Sequence, residues 1–337
     1  MWPSATRPPS ASSPSAPRPR SPRLSSAQRD AFLEQAAHCE GRSPLYAELC
    51  RRFAGDPRVG ALADGWGNRV PLQILGGLHY LVLGGEASWD DVDAALEEHG
   101  DFLRRFVAEQ PVQTNEVQRS WVLLPLFLHA VGSADVHVVE LGASAGLNLL
   151  WDRYRYRFRA GEWGPEDAPV VLSGEERRPL PDGLLSARPS VRSRIGIDIA
   201  PVDVTSAEGA RLLRAFVWAG QEERLARLDR AIEALREDPP ELVRGDVAEA
   251  LPGVLERLPP DGVALVFQTA LFHMLSEVAR TRVREALDTA GRELAFVSAG
   301  QPRDLPRAWG MRIERPGGRR KFVGHADYHG AWLDYEL

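Results

Sequence analysis

The fold is decided by the stretch Val136-His-Val-Val-Glu-Leu141, which runs directly into Gly142-Ala-Ser-Ala-Gly146. Its first part is a short apolar run rich in β-branched residues, which is typical of a buried parallel strand. Its second part consists of small residues with a glycine at each end, so the backbone can turn tightly and approach a ligand closely. This stretch therefore predicts a strand that ends in a ligand-binding loop.

Further short apolar runs follow, with helical patterns between them. They span Ser193–Ile199, Leu242–Arg244, Val263–Phe267 and Leu294–Val297. Strands that alternate with helices predict a mostly parallel sheet flanked by helices. The predicted fold class is α/β, with a Rossmann-like sheet over residues 135–337 that resembles the sheet of methyltransferases. An insertion at 155–192, rich in glycine, proline and charge, interrupts it.

Residues 26–134 have a different pattern and are expected to form an all-helical N-terminal domain. Within it, Leu72–Leu83 and Val117–Val131 are apolar enough to be buried helices, and Trp89–Val107 is predicted to be one further helix. The chain begins differently again, because its first 23 residues hold seven prolines, six serines and four arginines. Such a composition cannot bury apolar surface, so residues 1–25 are predicted to be a disordered tail.

The composition argues against several classes of protein. No run of about 18 apolar residues occurs, so we expect no membrane-spanning segment. The net charge is −6, an acidic balance that argues against a nucleic-acid partner and leaves a small-molecule substrate as the expected ligand. The two cysteines are too few for a disulfide framework, which favours a reducing compartment and a cytoplasmic location.

The loop after the first strand resembles the cofactor loop of S-adenosylmethionine-dependent methyltransferases. Glu140 lies two residues before Gly142, where those enzymes carry an acid, and Gly146 closes the loop. Ser144 occupies the place of their middle glycine, a departure that fits if its φ is negative. The residues that follow, Leu147–Tyr154, predict a helix whose N-terminal amide groups would face the ligand.

Two further acids extend this resemblance to the next two strands. Asp198 follows the second strand, where a carboxylate can accept hydrogen bonds from ribose hydroxyls. Asp246 follows the third strand, where methyltransferases often contact adenine. Both residues are also ordinary turn formers. The cofactor interpretation assigns S-adenosylmethionine to Glu140, Gly142, Ser144, Gly146, Asp198 and Asp246.

The same loop supports a second hypothesis, because Gly-Ala-Ser-Ala-Gly also matches the G-x-S-x-G nucleophile elbow of serine hydrolases. Ser144 would then be the nucleophile, and Asp246 and His273 follow in the right order to complete a triad. Against this, the residues before the loop show helical patterns, whereas a hydrolase elbow follows earlier strands of its sheet. A third possibility is a non-catalytic nucleotide-binding or regulatory protein.

A polar cluster precedes the predicted helix at Val117–Val131. In Gln113-Thr-Asn-Glu116, together with Arg119, the side chains of Asn115, Glu116 and Arg119 are candidates to face the acceptor, with Glu116 as a possible base. Thr114 or Asn115 could instead cap that helix. His325 and His329 have the spacing of helical zinc ligands, but no third ligand is evident, so no metal is predicted.

Several of these stretches resemble an uncharacterised bacterial family, best known from actinobacteria and filed as domain of unknown function 2332. The resembling residues are Gln113–Glu116 with Arg119, Glu140–Asn148, Asp152–Tyr154, Gly196–Asp198, Pro201–Asp203, Leu213-Arg214 to Trp218, Arg224-Leu225 and Gly245-Asp246. The resemblance covers nearly the whole chain from Ser26. It implies no particular activity, so the methyltransferase prediction depends on the cofactor loop and its acids.

Overall fold

The computed structural model describes residues 24–63, 70–114, 116–300, 308–318 and 320–337. In these ranges the first half of the chain is helical. Its helices are α1 (Ser26–Cys39), α2 (Pro44–Phe53), α3 (Pro57–Ala63), α4 (Val70–Leu83), α5 (Val92–Glu98), α6 (Gly100–Glu109) and α7 (Arg119–Val131). The predicted tail at 1–25 lies almost entirely outside the described residues.

The second half contains the strands and four more helices. In chain order these are β1 (Asp135–Leu141), β2 (Arg155–Phe158), β3 (Gly161–Trp163), β4 (Val171–Ser173), β5 (Glu175–Glu176), β6 (Ser190–Asp198), α8 (Ala207–Ala215), α9 (Glu222–Glu237), β7 (Glu241–Arg244), α10 (Val247–Arg257), β8 (Val263–Thr269), α11 (Glu277–Asp288), β9 (Leu294–Gly300), β10 (Ala308–Glu314), β11 (Lys321–Asp327) and β12 (Trp332–Tyr335). The predicted α/β class with N-terminal helices and a mostly parallel sheet is therefore confirmed.

Nine of these strands form one large sheet in the order β5-β12-β11-β10-β9-β8-β1-β6-β7. The five neighbours from β9 to β7 are all parallel, whereas β10, β11 and β12 continue the sheet antiparallel. Of these five strands, β1 comes first along the chain. The next two, β6 and β7, lie on one side of β1 in the sheet, and the last two, β8 and β9, lie on the other. The order therefore reverses between β1 and β8, and ligands of open α/β sheets bind beside such a reversal.

The apolar residues form three buried clusters. One combines α7, β1 and neighbouring strands with α8 and α9, and a second packs α10 and α11 on β1, β6, β8 and β9. The third joins α1–α6 and includes Ala219 from the segment between α8 and α9. Thus α7 belongs to the core of the sheet, while the other N-terminal helices build a core beside it. Within the described ranges, no helix is both long and apolar enough to cross a bilayer.

Two segments that were each predicted to be a single α-helix have a different structure. Trp89–Val107 is not one helix, because Asp91 accepts the N–H of Ala94 and caps the start of α5. This helix ends at Glu98, and His99 separates it from α6. Leu147–Tyr154 is not an α-helix either: Leu147–Arg153 forms 3-10 turns, with non-helical backbone angles at Leu150. The loop after β1 therefore lacks a regular α-helix N-terminus behind it.

Candidate functional site

The loop that follows β1 takes a left-handed backbone at three of its residues. Gly142, Ser144 and Gly146 have φ of 76°, 53° and 83°. Serine rarely adopts this region, at a cost of about 1–2 kcal/mol, so the condition under which Ser144 was expected to fit, a negative φ, is not met. The structure instead gives Ser144 the conformation that a middle glycine would adopt freely.

Contacts with the end of β6 and with the residues after it hold this strained loop in place. The carboxylate of Asp198 accepts the N–H of Ser144 at 2.8 Å, although 54 residues separate the two along the chain. Ser144 also accepts the N–H of Val202 through its carbonyl oxygen at 3.2 Å. Gly196 in β6 leaves the necessary room, because a Cβ there would lie 2.6 Å from the Cβ of Ala143. The loop and Asp198 therefore lie side by side at the carboxyl edge of the sheet.

The neighbouring strand β8 ends in a second strained turn. Ala270 has φ of 58° and, with Ser144, is one of two non-glycine residues with positive φ in the described part of the chain. The buried Gln268 organises this turn, because its carboxamide oxygen accepts the N–H groups of Leu271 and Phe272. Strained backbone thus follows both strands that flank the reversal of strand order, and such strain is often concentrated at functional sites.

The hydrolase triad is not assembled in this structure. The Oγ of Ser144 is buried and has no hydrogen-bond partner among the described residues. Asp246 is the N-cap of α10, where its carboxylate accepts the N–H of Ala248 at 2.8 Å. His273 is exposed in the turn after β8. In addition, no strand of the sheet precedes β1 in the described ranges, so this geometry does not favour a nucleophile elbow.

Glu140 is the most deeply buried acid of the loop region, with 2% of its surface exposed. A chain of side chains links it to α7: Glu140 is hydrogen-bonded to Asn148, whose carboxamide oxygen accepts the hydroxyl of Ser120 at 2.9 Å. The Oε2 atom of Glu140 has no hydrogen-bond partner among the described residues. Burial raises the pKa of Glu140 well above its usual value, and the Asn148 hydrogen bond and the charge of Arg119 only partly oppose this.

The raised pKa of Glu140 predicts a specific dependence of stability on pH. Because the folded pKa lies above the unfolded one, the folded state binds more protons between them, and stability falls as pH rises through this window. Glu140→Gln cannot ionise, so the variant should be more stable than the wild type at pH 8, with the difference disappearing near pH 4.

Urea unfolding at pH 4, 6 and 8 measures this difference for Glu140→Gln. The matched control is Glu233→Gln, which changes an exposed glutamate on α9 and should leave the pH profile unchanged. If the stability difference between Glu140→Gln and the wild type is the same at pH 8 and pH 4, folding does not raise the pKa of Glu140 and the argument from burial is wrong; a larger loss at pH 8 than at pH 4 would mean that Glu140 is stabilised as a carboxylate.

Two residues that were predicted to face the methyl acceptor, Glu116 and Arg119, belong to a second buried polar cluster near Glu140. Glu116 is 2% exposed, and its carboxylate forms ion pairs with Arg224 at 2.6 Å and Arg227 at 3.2 Å, both on α9. It also accepts the N–H of Gln118. The helix itself begins at Arg119 and has no side-chain cap at Gln118. Asn115 lies outside the described residues.

Arg119 connects the two polar centres. Its guanidinium donates to the carbonyl oxygens of Tyr328 and Thr114 at 3.0 and 3.3 Å and lies 4.8 Å above the ring of Trp309. Burial lowers the pKa of Arg119 to about 10, which the negative charges of Glu116 and Glu140 partly offset. The structure therefore brings Glu116, Arg119 and Glu140 into one electrostatic network.

Sequence reasoning missed several members of this network. His329 lies after β11, and its ring contacts that of Trp218 edge-on at 6.3 Å between centroids. Arg227 is one turn beyond Arg224 on α9. No sequence signal marked Arg227, because 40 of the 41 basic residues of the chain are arginines and a single one carries little information. The sequence singled out His329 only for its spacing from His325. His325 instead pairs with Glu336, so the two histidines do not share a partner.

Together these features define an α/β protein with a glycine-bounded loop and a carboxylate at the carboxyl edge of parallel strands, next to a buried arginine–glutamate centre. The chain belongs to a bacterial family described as "uncharacterized protein conserved in bacteria (DUF2332)", whose model matches residues 29–335. The resemblance noted from the sequence is thus confirmed. No curated protein matches the chain significantly.

Proposed function

We propose that this protein transfers a methyl group from S-adenosylmethionine to a small molecule. The observation that carries the proposal is the hydrogen bond from the N–H of Ser144 to Asp198, because it brings the loop after β1 and the ribose-type acid of β6 together at the carboxyl edge of the sheet. The order of the parallel strands is also that of Rossmann-like sheets, third, second, first, fourth, fifth, and the loop follows β1, which is one of the two strands that flank the reversal.

The residues present fit a nucleoside cofactor. Asp198 uses one lone pair on each oxygen for the amides of Ser144 and Ala200, which leaves acceptor capacity for the two hydroxyls of a ribose. Ile199 follows directly and is 71% exposed, so an apolar surface is available for the face of a base. The unpaired Oε2 of Glu140 belongs to a carboxyl whose uncharged form is favoured by burial, and it offers a further hydrogen-bonding atom behind the loop.

The sulfonium of S-adenosylmethionine supplies a methyl group that a nucleophile can displace. The chain contributes position, because fixing the acceptor in line with the methyl group removes much of the entropic barrier. Asp198 and the loop would hold the cofactor, and the Ser120–Asn148–Glu140 links tie the loop region to α7. Both oxygens of Glu116 face guanidinium groups, which suits a positioning role better than that of a base.

The proposal extends to the location of the protein. Cys39 and Cys50 are both buried and neither forms a disulfide. Burial raises the pKa of both thiols, which keeps them protonated and unreactive. A chain with two unoxidised thiols suits a reducing compartment, so we place the reaction in the cytoplasm.

Thermal unfolding with S-adenosylhomocysteine tests the proposal. A ligand at 100 times its Kd adds about 2.7 kcal/mol to the free energy of unfolding, so the unfolding midpoint should rise clearly and saturate with concentration. Adenosine monophosphate at the same concentration is the control for non-specific nucleotide binding. A midpoint that responds to neither S-adenosylmethionine nor S-adenosylhomocysteine at millimolar concentration refutes the proposal.

A further inference from the structure

A cavity of about 260 Å³ lies between the N-terminal helices and the segment that joins α8 to α9. Its lining comes from the start of α2, from α4 and the 3-10 turn after it, and from residues 217–225. Pockets for drug-sized ligands measure about 300–1,000 Å³, so this one suits a smaller molecule. Neither Ser144 nor Asp198 lines it, and the cavity is therefore distinct from the proposed cofactor site.

Buried hydrogen bonds fix one wall of this cavity, residues 217–221, to the N-terminal helices. The Oγ of the fully buried Ser43 donates to the carbonyl oxygen of Ala219 at 2.7 Å. The ring Nδ1 of His79 donates to the carbonyl oxygen of Val217 at 2.9 Å. These bonds join residues that are 176 and 138 positions apart along the chain. The cavity is therefore a product of the tertiary fold and not a gap within a single loop.

Two indole rings, those of Trp89 and Trp218, line the cavity. Other rings hold each of them in place: the centroid of Trp89 lies 5.8 Å from that of Tyr46 and 5.5 Å from that of His79. Trp218 has His329 beside it, at 6.3 Å between centroids. Both tryptophans pack against the core of the N-terminal helices but are only partly buried. Each ring is thus fixed by packing and keeps part of its surface available to a ligand.

The lining of the cavity carries negative charge. Glu222, an exposed residue, provides a carboxylate, and no lysine or arginine is among the described residues that line the cavity. His79 adds no positive charge, because burial lowers its pKa and the nearby charge of Glu222 opposes this only in part. Arg224 donates to Gln221, but its guanidinium lies outside the lining and pairs with Glu116 at 2.6 Å.

Aromatic walls next to a carboxylate have the chemistry that recognises an organic cation. The face of an aromatic ring attracts an ammonium group, and tryptophan does so most strongly. A carboxylate adds a direct attraction between opposite charges. An anion would be repelled by Glu222, and a neutral molecule would gain nothing from its charge. The lining therefore favours a positively charged ligand.

We propose that this cavity binds a small organic ammonium ion, held against the indoles of Trp89 and Trp218 and near the carboxylate of Glu222. The site goes beyond the proposed methyl transfer and does not rest on it, because it uses no residue of the cofactor loop. It rests on the fixed wall, the two partly buried indoles and the acid that line one cavity.

The test is direct binding of choline and of ethanolamine to the full chain by calorimetry, at pH 7 and constant ionic strength. Both probes are cations at this pH, and the wild type should bind at least one of them saturably at millimolar concentration. The neutral analogue of each probe, in which carbon replaces nitrogen, has a similar shape without the charge. This analogue should bind about tenfold more weakly, because it loses the attraction to the indole faces and to the carboxylate.

Two variants assign the binding to this cavity. Trp218→Leu should weaken binding of the probe about tenfold, and Glu222→Gln should weaken it about threefold, as expected for an exposed charge. Glu222→Gln changes an exposed side chain, so it remains informative if Trp218→Leu does not fold. Glu223→Gln removes the neighbouring exposed acid, which does not line the cavity, and should leave the affinity unchanged. The proposal is overturned if the wild type binds neither probe, if the neutral analogue binds as tightly as the cation, or if either folded variant binds like the wild type.

Discussion

Replacement of Glu116 by glutamine should lower the free energy of unfolding by about 3 kcal/mol. The side chain is 2% exposed and pairs with Arg224 and Arg227. Removing one partner of a buried ion pair typically costs about 3–5 kcal/mol, because the remaining charge stays buried without compensation. Here the remaining charges also repel one another, since Arg119 lies in the same field.

Urea unfolding at pH 7 measures this loss, with Glu233→Gln as the control on the exposed side of α9. The control should change the stability by less than about 0.5 kcal/mol. A loss below about 1 kcal/mol would mean that water reaches the pair and screens it, and the account of a desolvated centre would then be wrong.

The parts of the fold that the sequence predicts well are those with a local physical signal. Val136–Leu141 is predicted to be a strand because a short apolar run that ends in a glycine-bounded loop has few other stable conformations. The later strands were predicted for the same reason. By contrast, Leu147–Tyr154 contains good helix formers and yet forms 3-10 turns. Its side chains are buried against the sheet, and tertiary packing overrides local propensity there.

The candidate site was predictable only where a residue lies at the end of a strand. Glu140 and Asp198 are such residues, and parallel strands bring their carboxyl ends to one edge. The partners of Glu116 could not be found in this way. Arg224 lies 108 positions further on, and no periodicity links it to Glu116. Only the tertiary fold, which places α9 beside the segment that precedes α7, brings the two charges together.

Replacement of Asp198 by alanine should weaken the binding of S-adenosylhomocysteine by about 100-fold. Under the proposed function, its carboxylate binds the two ribose hydroxyls. A hydrogen bond to a charged group contributes about 1.5–3 kcal/mol, so the loss of two gives at least about 3 kcal/mol, or roughly 100-fold in Kd. The same carboxylate holds the loop by accepting the N–H of Ser144, so the variant also releases the strained backbone that would cradle the cofactor.

The two effects of Asp198 can be separated with a graded series of variants. Asp198→Asn keeps one carbonyl oxygen for the loop amide but loses the charge, so its affinity should fall between those of the wild type and Asp198→Ala. Asp203→Ala removes an exposed acid on the same segment, whose side chain accepts from Thr205, and the affinity should not change. Calorimetry is performed at a temperature where circular dichroism shows each variant to be folded. If folded Asp198→Ala binds within threefold of the wild type, Asp198 serves only to fix the loop, and the crevice at the end of β6 is not a ribose site.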